Sequence, residues 1–281
     1  MHEIKVVDES FDIKFATQYD ISIQVGLDGF SFCILDPLRN KIVLFRHIPL
    51  IVGKLQFLTK KVETIFDEEE ILNSNFNEVI VTYSTHKATL IPTKYSDSEL
   101  LNQIANFTQT LSRLEEVGSD KIHGFKTRMI YCYPKELFAL FNRKYTDFKF
   151  RHKSVPLINA FGNQINLKKK SLLINFERKY IRMIAFENSD ITLFNSFYYK
   201  TETDFLYYTL NICHSLLIDP EQDEIHLGGF VADDSGYVRL LKKYFATIHF
   251  LKPSAEFDFG KILEKTQKHQ FVSLINSLSC E

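Results

Sequence analysis

The chain repeats one order of predicted secondary-structure elements. Each half is predicted to contain three consecutive strands, a helix and a further strand. Aligned without a gap, segment 21–25 falls on segment 172–176, an offset of 151 residues (175 minus 24, for Asn175 and Gln24). Later in each half, segment 77–81 corresponds to segment 223–227. Few residues are identical between the two halves, but the hydrophobic pattern repeats. This repeat predicts two related α/β halves.

The boundary between the halves is predicted near residue 155, so that the first half covers 1–155 and the second covers 156–281. The predicted strands lie near 20–47, 79–83 and 128–133 in the first half, and near 172–199, 224–228 and 247–251 in the second. Helical spacing of apolar residues predicts helices over 59–73, 100–111, 135–145, 201–217, 236–245 and 270–278.

The charge balance does not favour nucleic acid as a partner. The chain has 34 basic and 35 acidic residues, a formal net charge of −1. Nucleic-acid binding depends on phosphate contacts and therefore on a basic excess or a basic face. The one basic run, Lys168, Lys169 and Lys170, comes just before a predicted strand. Lysines exposed to solvent at the start of a strand explain this run without a nucleic-acid partner.

Cysteine usage and hydropathy favour a cytoplasmic location. The four cysteines, Cys33, Cys132, Cys213 and Cys280, form no CxxC pair, as expected in a reducing compartment. The most apolar stretch, 42–52, is interrupted by charge and is too short to span a bilayer. We therefore expect no membrane insertion, and the first residues show no signal-peptide layout.

Three segments stand out at the ends of predicted strands. The first turn, within 23–29, carries Gln24, Gly26, Asp28 and Gly29. At the equivalent place in the second half, 174–178 carries Asn175 and Glu177. A glycine pair, Gly228 and Gly229, closes the strand that follows the second-half helix.

This layout resembles the actin-like ATPase superfamily, which shares its half-fold with ribonuclease H. Members carry an Asp-x-Gly turn after the first strand of each half and a Gly-Gly adenosine motif in the second half. Segment 23–29 resembles the first phosphate turn, 174–178 takes the place of the second, and 225–231 resembles the adenosine motif. The resemblance implies a duplicated fold, with two mixed β-sheets flanked by helices and a nucleotide cleft between the halves.

The whole chain is similar to a family of uncharacterised bacterial proteins filed as a domain of unknown function with an actin-like fold. It is more distantly similar to the cytoplasmic actin-like subunits of type IV pili and type II secretion. These relationships imply a protein partner, whose identity and pathway the sequence does not specify.

The residues at the two turns depart from the superfamily pattern. Gln24 and Asn175 are neutral amides where the resemblance implies aspartates, and a divalent cation with its water shell needs anionic oxygen. The glycine kept as Gly26 in the first half is replaced by Glu177, whose side chain would fill space and repel phosphate. We therefore predict a pseudo-ATPase that does not hydrolyse ATP.

Other catalytic sites find less support. A two-metal nuclease needs several converging carboxylates, and Asp28 is better explained as a turn residue. No histidine pair has helical metal-ligand spacing, and no metal site is predicted. The glycines at 228 and 229 either allow a sharp turn at the end of the strand or keep a residual contact with adenosine. The aromatic run over 194–208 favours core packing over a partner surface.

Three functions follow from these observations. The leading prediction is a non-catalytic interaction or scaffold protein with no cofactor. The alternative is a sensor that binds ATP without efficient hydrolysis, using Gly26, Gly29, Gly228 and Gly229 as points of close backbone approach. The third is an enzyme whose polar site follows no known motif.

Overall fold

The computed structural model of the chain describes residues 2–165, 169–260, 262 and 267–279. Lys168 of the basic run and Cys280 lie outside the described residues. The two described lysines of that run flank the entry to a strand and pair with carboxylates, Lys169 with Glu224 at 3.8 Å and Lys170 with Glu187 at 3.4 Å.

The first sheet has six strands in the order β1-β4-β3-β2-β5-β9. Its strands are β1 (Ile4–Val7), β2 (Asp20–Gly26), β3 (Gly29–Asp36), β4 (Lys41–Pro49), β5 (Glu78–Tyr83) and β9 (Lys149–His152). The predicted three-stranded meander is present, because β2, β3 and β4 pair antiparallel through short turns. Strands β5 and β9 then extend the sheet in parallel with β2.

The second sheet has five strands in the order β12-β11-β10-β13-β14. Its strands are β10 (Ser171–Phe176), β11 (Tyr180–Glu187), β12 (Asp190–Tyr198), β13 (Glu224–Gly229) and β14 (Ile248–Phe250). The first three strands are again an antiparallel meander, and the last two again run parallel to the first.

The two sheets therefore repeat one topology. The order β4-β3-β2-β5-β9 matches β12-β11-β10-β13-β14 strand for strand, in both position and direction. The duplication predicted from the hydrophobic pattern is confirmed, and it has the topology that the resemblance to the actin-like superfamily implied. In each sheet, the meander strands and the next strand were predicted from their apolar alternation.

A third sheet is a correction to the prediction. The strand predicted near 128–133 does not belong to the first sheet; it is β8 (Thr127–Pro134), the centre of a separate antiparallel sheet with β6 (Ala88–Pro92) and β7 (Glu115–Lys121). The parallel position beside β5 is taken instead by β9. The prediction of two sheets missed β7 and β9 because both are rich in charged residues and lack apolar alternation.

Apart from the helix at 154–162, which was not predicted, the described helices lie close to their predicted positions. They are α1 (Leu58–Glu68), α2 (Ser98–Thr108), α3 (Lys135–Lys144), α4 (Ser154–Gly162), α5 (Glu202–Ser215), α6 (Gly236–Leu241) and α7 (Val272–Asn276). Thr201 begins α5 with a capping box, in which its side chain accepts from the amide of Asp204 and the Asp204 carboxylate accepts in return. Among the described residues, no helix has the length and apolarity needed to cross a bilayer.

Two helices connect the halves by packing across the chain order. α4, which follows β9, packs its apolar side chains, among them Val155, Leu157 and Phe161, against Leu173 and Ile184 of the second sheet. α7, near the end of the chain, places Leu274 and Ile275 against the first sheet. The two helices also contact each other. The space between the two sheets is therefore filled by helices from both sides.

Candidate functional site

The first turn joins β2 to β3 through Leu27 and Asp28, and its glycines are required by packing. A Cβ on Gly29 would lie 2.9 Å from Cε1 of the buried His47, and one on Gly26 would lie 2.9 Å from Cβ of Ser84. Asp28 lies in this turn, as predicted, and its Oδ2 accepts a hydrogen bond from the backbone amide of Arg178 at 3.3 Å. The two turns thus contact each other directly.

The second turn follows β10, and the glycine pair lies beside it. The register of β10 on β13 places Asn175 opposite Gly228 and Phe176 opposite Gly229. Gly229 has a φ of +74°, and a Cβ there would overlap the carbonyl oxygen of Phe176. Since the neighbouring backbone already requires glycine at this position, its presence needs no bound nucleotide.

The structure brings Gln24 and Asn175 together, although they are 151 residues apart in the chain (175 minus 24). Both line one cavity at the junction of the two sheets, and Gly229 lines it too. The cavity measures about 10 Å³, room for roughly one water molecule. The predicted phosphate-turn residues therefore face each other across a space that is already occupied by protein.

Part of that space is filled from the end of the chain. Ser273 of α7 donates a hydrogen bond to Oε1 of Gln24 at 2.6 Å. His269, from the 3₁₀ turn just before α7, contacts the carbonyl oxygen of Val231 through Nε2 at 2.7 Å. The amide of Gln24 is thus engaged by the protein itself.

A buried charge cluster lies next to this cavity, and its Lys153 also lines the cavity. Lys153, at the start of α4, places Nζ 2.9 Å from Oε1 of Glu177, and Nη2 of Arg182 lies 3.7 Å from the same oxygen. Burial alone would raise the pKa of Glu177, but Arg182 and Lys153 outweigh that effect and lower it to about 2. Glu177 is therefore ionised and ion-paired at neutral pH.

Arg182 anchors the cluster in both halves of the chain. Its side chain is completely buried. Nη2 donates to the carbonyl oxygen of Thr85 at 2.5 Å, Nη1 donates to Oγ of Ser154, and Nε donates to Oγ of Ser196 at 3.2 Å. Thr85 and Ser154 follow strands of the first sheet, so one guanidinium joins the first sheet to the second.

Neither cation was predicted from the sequence. Lys153 lies alone between a strand and a helix, with no motif around it. Arg182 takes one position of the predicted strand β11, where alternation suggested a solvent-facing residue. The only available signal was the presence of a charged residue inside an otherwise apolar strand, just before Met183 and Ile184.

A larger cavity lies outside the closed junction. It measures about 350 Å³ and is lined by both turns, the segment after β4, the segment after β5 and Glu115 of β7. Its carboxylate Glu115 is paired with Lys87 at 2.6 Å, and Ile51 on its rim is 81% exposed. The ring of His86 stacks on that of Tyr180 across the wall, with centroids 4.3 Å apart. A cavity of this size can take a small ligand or a few side chains of a partner.

The aromatic residues of segment 194–208 lie partly in the core of the second half and partly at the surface. Phe205 is fully buried in the second core, and Phe197 stacks on Tyr208 with ring centroids 4.8 Å apart. Tyr198 and Tyr207 remain exposed. Most of the run packs within the protein, as the sequence favoured.

The family of the chain follows from its sequence profile. The profile of a family described as a protein of unknown function, DUF3822, matches residues 8–248. The chain belongs to the DUF3822 family. No curated protein is detectably similar in sequence to this DUF3822 member.

Solved structures support the actin-like fold of this DUF3822 chain. It is similar to a Bacteroides thetaiotaomicron protein described as having an actin-like ATPase fold and unknown function, with 23% identity and a TM-score of 0.82 over 96% of this chain and 99% of that one. It is also similar to a chain of the PilM-PilN type IV pilus biogenesis complex, with 9% identity and a TM-score of 0.59 over 92% and 98%. At these identities the likeness establishes the fold alone.

The residues at the junction do not fit the magnesium and ATP that the fold family implies. The two amides offer no anionic oxygen, and Glu177 is committed to Lys153 and Arg182. The cavity that Gln24 and Asn175 both line holds roughly one water. Within the described residues, no group of three or more His, Cys, Asp or Glu side chains could hold a metal ion.

Proposed function

We propose that this DUF3822 protein is a non-catalytic interaction or scaffold protein of the cytoplasm, built on a degenerate actin-like ATPase fold. The observation that carries the proposal is the filled junction between the two sheets. Where Gln24 and Asn175 meet, about 10 Å³ is left, and Ser273 and Lys153 line that space beside them.

A closed junction is consistent with a binding role for the outer surface rather than with chemistry between the halves. Hydrolysis would require a metal-bound triphosphate beside an activated water. The charged groups beside the junction instead pair with one another. The retained Gly26, Gly29 and Gly229 are explained by close internal packing, which weakens the alternative of an ATP sensor.

The surface best suited to a partner is the 350 Å³ cavity. It combines the exposed aliphatic side chain of Ile51 with the charged residues Arg178 and Lys179 on its wall. Apolar anchors with a charged rim are the usual composition of a binding patch. A protein partner also agrees with the PilM-like neighbour, whose structure is that of a complex with PilN.

Nucleotide binding and hydrolysis test the proposal directly. The purified protein is assayed for magnesium-dependent ATP hydrolysis, and its melting temperature is measured with ATP, ADP and no nucleotide. A ligand present at a hundred times its dissociation constant adds about 2.7 kcal/mol, which raises the melting temperature of a chain of this size by roughly 5 °C or more. We expect neither turnover nor a shift. Magnesium-dependent turnover, or a shift of that size with ATP, would contradict the proposal.

The partner surface is tested by capture from the native cell. The wild-type chain is compared with Ile51→Asp, which places a charge on the cavity rim, and with Leu38→Asp, a matched change at an 84% exposed position on the β3–β4 turn. We expect one protein to be retained by the wild type and by Leu38→Asp but lost from Ile51→Asp. Equal capture by all three would argue against this surface.

A further inference from the structure

Glu177 lies where two buried cations converge. Nζ of Lys153 is 2.9 Å from its Oε1 and Nη2 of Arg182 is 3.7 Å from the same atom. The side chains of Glu177 and Lys153 are each 7% exposed, and that of Arg182 is 0% exposed. Lys153 belongs to the first half of the chain, whereas Glu177 and Arg182 belong to the second sheet, so the carboxylate joins the two.

Within 4 Å of one another, the charges in this cluster do not balance, because Lys153 and Arg182 share the one carboxylate of Glu177. The carboxylate of Asp28 acts on Arg182 only from further away, and the remaining Arg182 donors meet neutral groups, which are oxygens of Thr85, Ser154 and Ser196 and the ring of His152. A buried guanidinium beside an ammonium is an arrangement that binds an oxyanion such as phosphate. A single carboxylate satisfies it only in part, since phosphate carries up to two charges and more acceptor oxygens.

The position of the carboxylate in the fold explains this arrangement. Glu177 opens the turn after β10, equivalent by the sheet repeat to the turn after β2, where the first half has glycine at the matching residue, Gly26. We infer that Lys153 and Arg182 form a latent oxyanion site, and that the Glu177 carboxylate occupies it as a built-in substitute for the anion. The two halves are thereby held closed without any ligand.

This inference deepens the proposed function, because a built-in anion makes the closed junction a permanent feature of the protein. It has a consequence that a merely structural ion pair lacks. If the site is a true oxyanion site, emptying it should let an external oxyanion enter and restore the lost stability. An ordinary ion pair, once broken, would gain nothing specific from phosphate.

The test uses the full chain with Glu177→Ala, which empties the site, and inorganic phosphate as the probe. In chloride buffer we expect this variant to melt about 10 °C below the wild type, since two buried cations lose their shared anion. Adding phosphate at constant ionic strength should raise its melting temperature in a saturable manner by at least half of that loss. The wild type, whose site is filled, should not respond.

Two further variants complete the experiment. Glu187→Ala removes a 40% exposed carboxylate at the end of β11 that pairs with Lys170, and it should melt near the wild type without a phosphate response. Glu177→Gln keeps the site filled by a neutral side chain. This variant should melt below the wild type, and phosphate should not raise its melting temperature. If Glu177→Ala does not fold in chloride, its refolded fraction is measured by circular dichroism in phosphate and in chloride, and more folded protein in phosphate is expected.

The inference is overturned if phosphate gives Glu177→Ala no more stability or refolding than chloride does, or if Glu187→Ala responds equally. These outcomes are independent of the ATP assays, because they concern a variant and a different ligand. A wild type that binds ATP while Glu177→Ala ignores phosphate would defeat both proposals. A wild type inert to ATP with an unresponsive Glu177→Ala would defeat this inference alone.

Discussion

Nζ of Lys153 and Oε1 of Glu177 lie 2.9 Å apart, each on a side chain with 7% exposure. Lys153 follows the last strand of the first sheet, and Glu177 follows the first strand of the second. The pair therefore links the two sheets beside the turns that follow β2 and β10. Its burial means that the protonation state of Glu177 is coupled to the stability of the whole chain.

Acid should destabilise the protein through Glu177. Its folded-state pKa of about 2 lies below its ordinary value of 4.5, so its stabilising contribution is present above pH 4.5 and is lost as the pH falls toward 2. The contribution is about 3 kcal/mol. We expect the free energy of unfolding, from urea titrations between pH 2.5 and pH 6, to fall more steeply in the wild type than in Glu177→Gln. Parallel curves for the two proteins would contradict this.

Asp120 should give the opposite pH dependence. Burial raises its pKa from 3.8 to about 7, although its Oδ2 accepts a hydrogen bond from the backbone amide of His152 at 2.7 Å. The folded state therefore favours the protonated carboxyl, and stability is lost as the pH rises from about 4 through 7, on the order of 4 kcal/mol. We expect Asp120→Asn to remove most of the decline in unfolding free energy between pH 5 and pH 8. A decline that persists unchanged in the variant would assign it to other groups.

The repeated sheet could be predicted because its first strands show the same apolar pattern in both halves. Segments such as 21–25 and 172–176 are apolar in register, and both become buried first strands of their sheets. β7 and β9 escaped prediction because their stability comes from neighbours rather than from their own sequence. β9 lies beside β5, and β7 lies beside β8 with its Glu115 paired to Lys87. Such long-range pairing has no local signature.

The site was predictable only in part, for a related reason. The equivalence of Gln24 and Asn175 follows from the repeat, and the structure places both on one cavity. What closes that cavity comes from distant positions, Lys153 after β9 and Ser273 in α7. A single lysine or serine outside any motif gives no indication of its tertiary partner. The sequence therefore indicated missing carboxylates but could not indicate that protein side chains fill their place.

Gly229 should be intolerant of any side chain. Its φ of +74° lies in the left-handed region, and a Cβ would overlap the carbonyl oxygen of Phe176. We expect Gly229→Ala to lower the free energy of unfolding by about 3 kcal/mol. Gly53→Ala is the matched control, because nothing lies within 4 Å of a Cβ there. Urea unfolding of both variants checks the prediction, and similar stabilities would show that the backbone at 229 relaxes freely.

Restoring the missing carboxylates should not restore an ATPase. The double variant Gln24→Asp with Asn175→Asp returns anionic oxygen to both turns, but the cavity between them still measures about 10 Å³ and still faces Lys153. We expect no magnesium-dependent ATP hydrolysis and no nucleotide-induced rise in melting temperature. The buried carboxylates should also lower the unfolding free energy by roughly 2 kcal/mol or more, compared with Asn102→Asp with Gln103→Asp on the exposed face of α2. ATP turnover by Gln24→Asp with Asn175→Asp would show that the missing negative charge, rather than the filled space, prevents ATP hydrolysis.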